Sequence, residues 1–536
     1  WRRAAARLAL AVAALALVVA GVPRAARADA LDQVRARGEL RWGGDQEGGG
    51  PYVYPKDDDP LTVTGFEVDL AAAIARRVGV RAAFVQAPWD KLPEMLRTGK
   101  VDVILNGYEL TPEREDVMDP SIPYYRYALA LLARRGDDRV ARWDALPRAP
   151  GGRPLEIGVL TGSAAETYVR ELCGGSCVVR SYDGNTDAMR EVETGKLDAT
   201  VQDTPIAAFY ASRFPKLHEI GEPEHPGYYV AYVQKGEARL RAAIDGALAS
   251  IATSGELEKI DRAYGIWDAR QAEILAIGRA ARFFGVGPKG AAADAPPAAP
   301  AATGAKAGDG SHALGARKRG LDVVRAYGGT LVASAGLTVL LAACSFPLAI
   351  VLGLFVALGR LYGPRWLAAP LAAYVEFLRG TPVMLQLYFI FFFLPEIGVN
   401  IPALACGIVG LAVNYSAYES EIYRAGLQAV PSGQMEAALA LGMSRALALR
   451  RIVVPQAVRL VIPPVVNDFI ALFKDTSVCS VITLVELTKR FSVLSQSTQA
   501  TLELMLMTGA LYLLMSYPLS LAAQRLERRL GLEARP

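Results

Sequence analysis

Histidine and cysteine are scarce in this chain, with 3 and 5 residues among 536. His218, His225 and His312 show no ligand spacing, so no metal site is expected. Neither sign of charge dominates. Lys and Arg number 58 against 54 Asp and Glu, and a formal net charge of +4 gives no reason to expect a nucleic-acid partner. No GxxxxGK[ST] motif occurs, and the Gly-rich GVGPKGAA (285–292) lacks that spacing. A chain that uses nucleotide energy must then obtain it from another polypeptide. The absence that divides the molecule is of charge itself. Residues 326–359 contain no Asp, Glu, Lys or Arg, and 504–524 repeat the pattern. A run of 34 such residues exceeds the roughly 20 needed to cross a bilayer.

What is present falls into a charged half and an apolar half. The N-terminus opens Trp-Arg-Arg, runs apolar from Leu8 to Val22, and offers Ala26-Arg27-Ala28 as a small-x-small cleavage pattern. An export signal over 1–28 is expected, an uncleaved anchor being the alternative. An exported domain over 29–275 then alternates strand and helix patterns. ELRWGG (39–44) reads as a strand. In GFEVDLAAAIARRVG (65–79), Phe66, Leu70, Ile74 and Val78 recur at helical i, i+4 steps. RAAFVQ reads as a strand, LPEMLRTGKVDVIL as helix, turn and strand, and LEIGVLTG (155–162) and KLDATVQD (196–203) as further strands. The expected fold is a two-lobed α/β domain with its ligand at loops beyond strand ends. Cys173 and Cys177 lie in this exported part, where CGGSC could close a small disulfide loop; as a metal signal the spacing is weak. Cys344, Cys406 and Cys479 sit in apolar surroundings.

Residues 276–324 read as an Ala/Pro/Gly-rich linker. A membrane domain over 325–530 follows, with five spans expected at about 328–357, 368–395, 401–423, 456–473 and 501–523. Asp468 and Lys474 mark the fourth and should face the bundle or a polar path rather than lipid. Arginines gather at 360 and 365, at 445, 450, 451 and 459, and at 525, 528 and 529. With an external N-terminus all three clusters face the cytoplasm.

GFEVDLAAAIA, WDKLPEMLRTGKVDVILNGYELTPER, GVLTGSAAET and GKLDATVQD together resemble the periplasmic binding proteins for polar amino acids, family 3 type, over residues 36–270. The resemblance implies the type II two-lobed fold closing over one amino acid. Arg114 in LTPER then stands where a guanidinium holds the ligand carboxylate through two parallel donors; by its local sequence it equally suits a solvated helix start. Asp203 is the counter-group for the ligand ammonium, a helix N-cap before Thr204-Pro205 being the alternative. Gly162 and Ser163 open a helix whose exposed N–H groups suit an anion from the opposite lobe. Asn106 and Gly107 form a second contact loop. Trp89 belongs to the cleft or to an ordinary core, and Tyr52 is similar. Glu109 departs from the family's usual Ser or Thr, and its carboxylate could bind the ammonium or neutralise Arg114. EGGG (47–50) lacks the aromatic often found before Pro51. Both departures bear on side-chain specificity.

EAALALGMSRALALRRIVVP (436–455) resembles the coupling loop of importer permeases at Glu436, Ala437, Ala438, Gly442, Ile452 and Pro455. VEFLRGTPVMLQLYF, NYSAYESEIYRAG and NDFIALFKDTSV match the polar amino acid branch of the type I ABC importer permeases. Small alanines permit close docking and Gly442 a bend. Glu376, Arg379, Glu419 and Glu421 are candidate path residues or helix-pairing charges. The implied protein is a non-enzymatic binding and permease subunit in the plasma (inner) membrane, with its binding domain in the periplasm or outside the cell. It would work with a cytoplasmic ATPase pair that uses ATP, hold no cofactor itself, and pair its membrane domain with a second copy. Glutamine or a basic amino acid is the favoured cargo, because Glu109 repels an acidic one. The competing function is a ligand-gated ion channel, which also joins such a binding fold to membrane helices. The coupling segment and span order disfavour it.

Overall fold

The structure, a computed structural model, describes residues 29–148, 153–284, 318–498 and 500–530. The export signal expected at 1–28 lies outside the described residues, as does 285–317 of the linker. The chain divides into two compact units, Trp1–Ala316 with Phe393–Val399 and Arg317–Phe392 with Asn400–Pro536. Helix Ala272–Phe284 runs across the boundary expected at 275, and helix Leu321–Tyr362 starts ahead of 325.

In the first unit the described residues form a nine-stranded sheet and a small hairpin, Tyr54–Pro55 with Val63–Thr64. One end of the sheet is a parallel set, Arg81–Gln86, Glu39–Gly44 and Val103–Ile104. The other end is a second parallel set, Ala199–Asp203, Glu156–Leu160 and Val178–Tyr182. Two long antiparallel strands, Met118–Arg134 and Glu224–Gln234, join them. Each parallel set with its helices is a lobe, and the two long strands are the only strand pairing that continues from one lobe into the other among the described residues. Register shifts near Tyr229 and Val230 twist these strands where they pass between lobes.

Local sequence accounts for the elements. Helix Phe66–Val78 buries Phe66, Leu70, Ile74 and Val78, and Gly79 ends it at φ 89 in the left-handed region. Each fully buried side chain of that size contributes roughly 1.5–3 kcal/mol. Helix Ala164–Cys173 starts at an N-cap, Ser163, whose hydroxyl accepts from the Glu166 N–H at 3.2 Å. Cys173 and Cys177 are joined in a disulfide at the end of that helix.

The second unit is helical. Among the described residues three helices are long and apolar enough to cross a membrane: Leu321–Tyr362, Arg445–Ile482 and Thr501–Leu526. A bent pair, Arg365–Gly380 and Val383–Ile397, makes a fourth if it counts as one span. The expectation of five is therefore corrected to three or four. The run 368–395 is broken by a 109° bend, because Gly380 ends one helix and Pro382 holds Thr381 out of the helical region before the next. The run 401–423 falls almost entirely on helix Ala403–Ala429, whose Asn414, Ser416, Glu419 and Ser420 are buried within the unit. These polar groups lower its apolar character. The helix packs along Leu321–Tyr362, and a Cβ at Gly353 would lie 2.7 Å from the Glu419 Cβ. Helices approach that closely only where a side chain is missing.

Candidate functional site

The cleft between the lobes of the first unit collects residues far apart in sequence. Trp89, Asn106, Gly107, Glu109, Ser163 and Asp203 line one cavity, with Tyr52, Asn185 and Gln202. On the first lobe, the turn Trp89–Lys91 is tied down by Trp89 N–H to Asp45 Oδ2 at 2.9 Å, while the indole N–H donates to the Asn106 carbonyl at 2.9 Å. Gly107 has φ 62, where a Cβ would press on the Tyr52 ring at 2.8 Å. Its N–H donates to Glu67 Oε1 at 2.7 Å. Glu67 is fully buried, also accepts from the Tyr124 hydroxyl, and is pushed up to about 7 by burial.

Arg114 is placed at the wall of the cleft rather than among the residues lining the cavity. Its guanidinium lies 5.1 Å from the Trp89 ring centroid and 4.7 Å from that of Tyr108. Nη1 donates to the Glu109 carbonyl at 2.9 Å and to Glu109 Oε2. Nη2 donates to the Gly162 carbonyl, on the other lobe, at 3.3 Å. The solvated-arginine reading does not describe this position.

On the second lobe the N–H donors of Gly162 and Ser163 are used locally, to Glu166 Oε2 at 2.7 Å and to the Leu160 carbonyl at 3.3 Å. The donor that reaches the cleft is the next one. Ala164 N–H donates to Glu109 Oε1 at 3.0 Å. Sequence reasoning missed Ala164, although the helix start one residue upstream pointed to it.

Asp203 ends strand Ala199–Asp203 and holds the N-cap position of helix Thr204–Tyr210, yet its side chain makes no capping bond. It accepts from the Tyr229 hydroxyl, which lies 2.7 Å from the Tyr52 hydroxyl. Burial first, and the nearby Glu109 charge second, push Asp203 up to about 8, against the Tyr229 hydrogen bond and the Arg114 charge. Tyr229 stacks on Tyr127 at 4.7 Å. Tyr127 and Tyr229 also went unread, their only signal being the tyrosine-rich YYRY (124–127) and GYYVAYV (227–233) of the two crossing strands. The cleft thus offers one guanidinium, two carboxyls and an aromatic wall, a set that suits a small ligand carrying both charges. Among the described residues no group of three or more His, Cys, Asp or Glu side chains is arranged to hold a metal ion.

In the second unit, Arg379, Asn414, Tyr415, Tyr418, Asp468 and Asp475 line a cavity of about 560 Å³ at the break around Thr381 and Pro382. Tyr415 donates to Asp475 at 2.6 Å, and Arg379 lies 5.7 Å from the Tyr418 ring centroid. Of the other candidate path residues, Glu421 pairs with Arg360 and Arg424, Glu419 is buried against Leu321–Tyr362, and Glu376 is exposed on the unit. Asp468 faces the cavity and Lys474 is exposed.

The segment 436–455 forms two short helices, Ser432–Ala440 and Arg445–Ala448, joined through Gly442 at φ 81. Glu436 and Ala437 are exposed, Ala438 is buried, and Leu441 is 84% exposed beside Gly442. Ile452 lies in the turn Leu449–Val453, and Pro455 sits at the start of helix Val454–Asp475.

Residues 40–266 match the model of the bacterial extracellular solute-binding proteins, family 3. Residues 349–532 match that of the binding-protein-dependent transport system inner membrane component. A probable amino-acid ABC transporter permease of Sinorhizobium fredii is 40% identical over 32% of this chain and 74% of its own. A probable glutamine ABC transporter permease of Bacillus subtilis is 37% identical over 34% of this chain and 83% of its own. Among solved structures, an ancestral arginine-binding protein bound to arginine is 29% identical, with a TM-score of 0.39, over 42% of this chain and 97% of its own.

Proposed function

We propose, from the premise that this chain belongs to the family 3 solute-binding proteins in its first unit and to the ABC importer permeases in its second, that its cargo is glutamine or a basic L-amino acid. The chain is the substrate-binding and permease subunit of an ABC importer for polar amino acids, in the bacterial inner membrane with its N-terminal domain in the periplasm. It is a transport subunit rather than an enzyme, and a cytoplasmic ATPase partner supplies the energy. The channel reading falls with the match of the second unit to transport permeases.

The observation that carries the cargo assignment is the charge balance of the cleft: Glu109 and Asp203 face a single cation, Arg114. Arg114 takes the ligand carboxylate and Asp203 its ammonium. The excess carboxyl favours a neutral or cationic side chain and repels an acidic one. After release, the cavity around Arg379, Asn414 and Asp468 is the polar stage of the path, since broken helices at membrane depth are tolerated where they line a cavity. The segment 436–455 docks on the ATPase, and a second copy of the chain completes the path, because three or four spans are few to enclose one. Calorimetry of the full chain in nanodiscs should show saturable binding of arginine or glutamine with little response to glutamate. Arg114→Ala should weaken that binding more than about tenfold. Equal affinity in wild type and R114A, or a clear preference for glutamate, sinks the assignment.

A further inference from the structure

Glu109 has both carboxylate oxygens engaged, and each engagement points to a different lobe. Oε2 pairs with Arg114 on its own lobe. Oε1 accepts the Ala164 N–H, at the start of the ten-residue helix Ala164–Cys173 on the opposite lobe, at 3.0 Å. The residue is 1% exposed. A guanidinium facing a helix N-terminus is the chemistry that seats a ligand carboxylate. In this structure the carboxylate in that seat is the protein's own.

We propose that Glu109 is a built-in competitor for the ligand carboxylate: it fills the seat between Arg114 and Ala164, draws the lobes together without ligand, and must be displaced for an amino acid to bind. This rests on the reading that the cleft takes amino acids. Three features make the seat exclusive. The Arg114 guanidinium is flanked by Trp89 and Tyr108, so it cannot swing aside to serve a second carboxylate. Three of its N–H donors are already engaged, on Glu109 Oε2 and on the Glu109 and Gly162 carbonyls. On the helix side, Gly162 and Ser163 N–H are spent locally, and Ala164 N–H donates to Glu109. Asp203 lies outside this seat, held by Tyr229, and takes the ammonium. Affinity is then the difference between two carboxylates for one seat. A ligand with a weak grip on the rest of the cleft fails to evict Glu109. Once evicted, the Glu109 carboxylate remains in the cleft as an anion that attracts a cationic side chain, so Glu109 sorts ligands twice.

The test uses the full chain in nanodiscs, as wild type, Glu109→Gln and Glu109→Ala. Hydrogen exchange of peptides covering Ala164 reports the bridge, and calorimetry with glutamine and with arginine reports the competition. Ligand-free exchange at Ala164 should be about tenfold faster in Glu109→Ala, the loss of one charge-assisted bond, and faster by less in Glu109→Gln, whose amide oxygen still accepts. Glutamine should bind both variants about tenfold more tightly than wild type, with arginine gaining less. Unchanged exchange at Ala164 in both variants overturns the proposal, as does glutamine binding that is weaker or equal when Glu109 is removed. If neither amino acid binds any of the three proteins, the cargo reading fails, and exchange at Ala164 alone decides whether Glu109 bridges the lobes.

Discussion

Binding of an amino acid should expel a proton from Asp203. In the ligand-free cleft this carboxyl is pushed up to about 8 by burial and by the facing Glu109, with Tyr229 and Arg114 opposing. The direction follows from linkage. The free protein holds the proton and the complex, with an ammonium against the carboxylate, does not, so affinity rises as pH rises toward 8. At pH 7 a group titrating near 8 is about 90% protonated, so roughly 0.9 proton should leave per ligand bound. From pH 6 to 7 the affinity should rise about tenfold, flattening above pH 8. Calorimetry of the full chain with arginine, in phosphate and in Tris at pH 7, reads the proton count from the dependence of the heat on buffer ionisation. Asp203→Asn should bind more weakly, release no proton and lose the pH slope. A wild-type heat independent of buffer, or the same buffer dependence in D203N, would refute the reasoning.

Two further outcomes follow from the same geometry. Glu67, pushed up to about 7, and Asp245, up to about 6, join Asp203 in holding protons that the unfolded chain has already lost. The ligand-free first unit should therefore lose stability as pH rises from 5 to 8, by at least about 1.4 kcal/mol, one pKa unit's worth. Scanning calorimetry of the full chain in detergent checks this, and a melting midpoint that climbs over that range contradicts it. Gly442→Arg puts a side chain at φ 81, costing about 1–2 kcal/mol of backbone strain, and sets a charge beside the exposed Leu441. Amino acid binding should stay at wild-type affinity while ligand-stimulated ATP hydrolysis with the partner ATPase disappears; wild-type hydrolysis in G442R removes the segment from the coupling role.

Much of the architecture is legible in one dimension. Helix Phe66–Val78 follows from four apolar residues at i, i+4 steps and a terminal glycine. Leu321–Tyr362 follows from a run without charge. The bend at Thr381 was also written in the chain, as Gly-Thr-Pro, but a hydropathy reading averages over it and returns one span where there are two helices. Helix Ala403–Ala429 misled in the opposite way. Its length suits a span, while its buried polar residues serve neighbouring helices.

The sequence by itself determined the division into two units, the strand and helix pattern of each lobe, and the residue types a zwitterionic ligand would need, because periodicity, charge-free runs and turn residues act between near neighbours. Only the tertiary structure decided what those residues do to one another. Glu109 meets Ala164 across 55 positions and Tyr52 meets Tyr229 across 177. Those encounters depend on how the strands Met118–Arg134 and Glu224–Gln234 carry one lobe against the other. A carboxylate read in sequence as a possible ammonium ligand or a neutraliser of Arg114 thus became a side chain seated on both lobes. Long-range packing sets which donors remain free, and no local pattern encodes it.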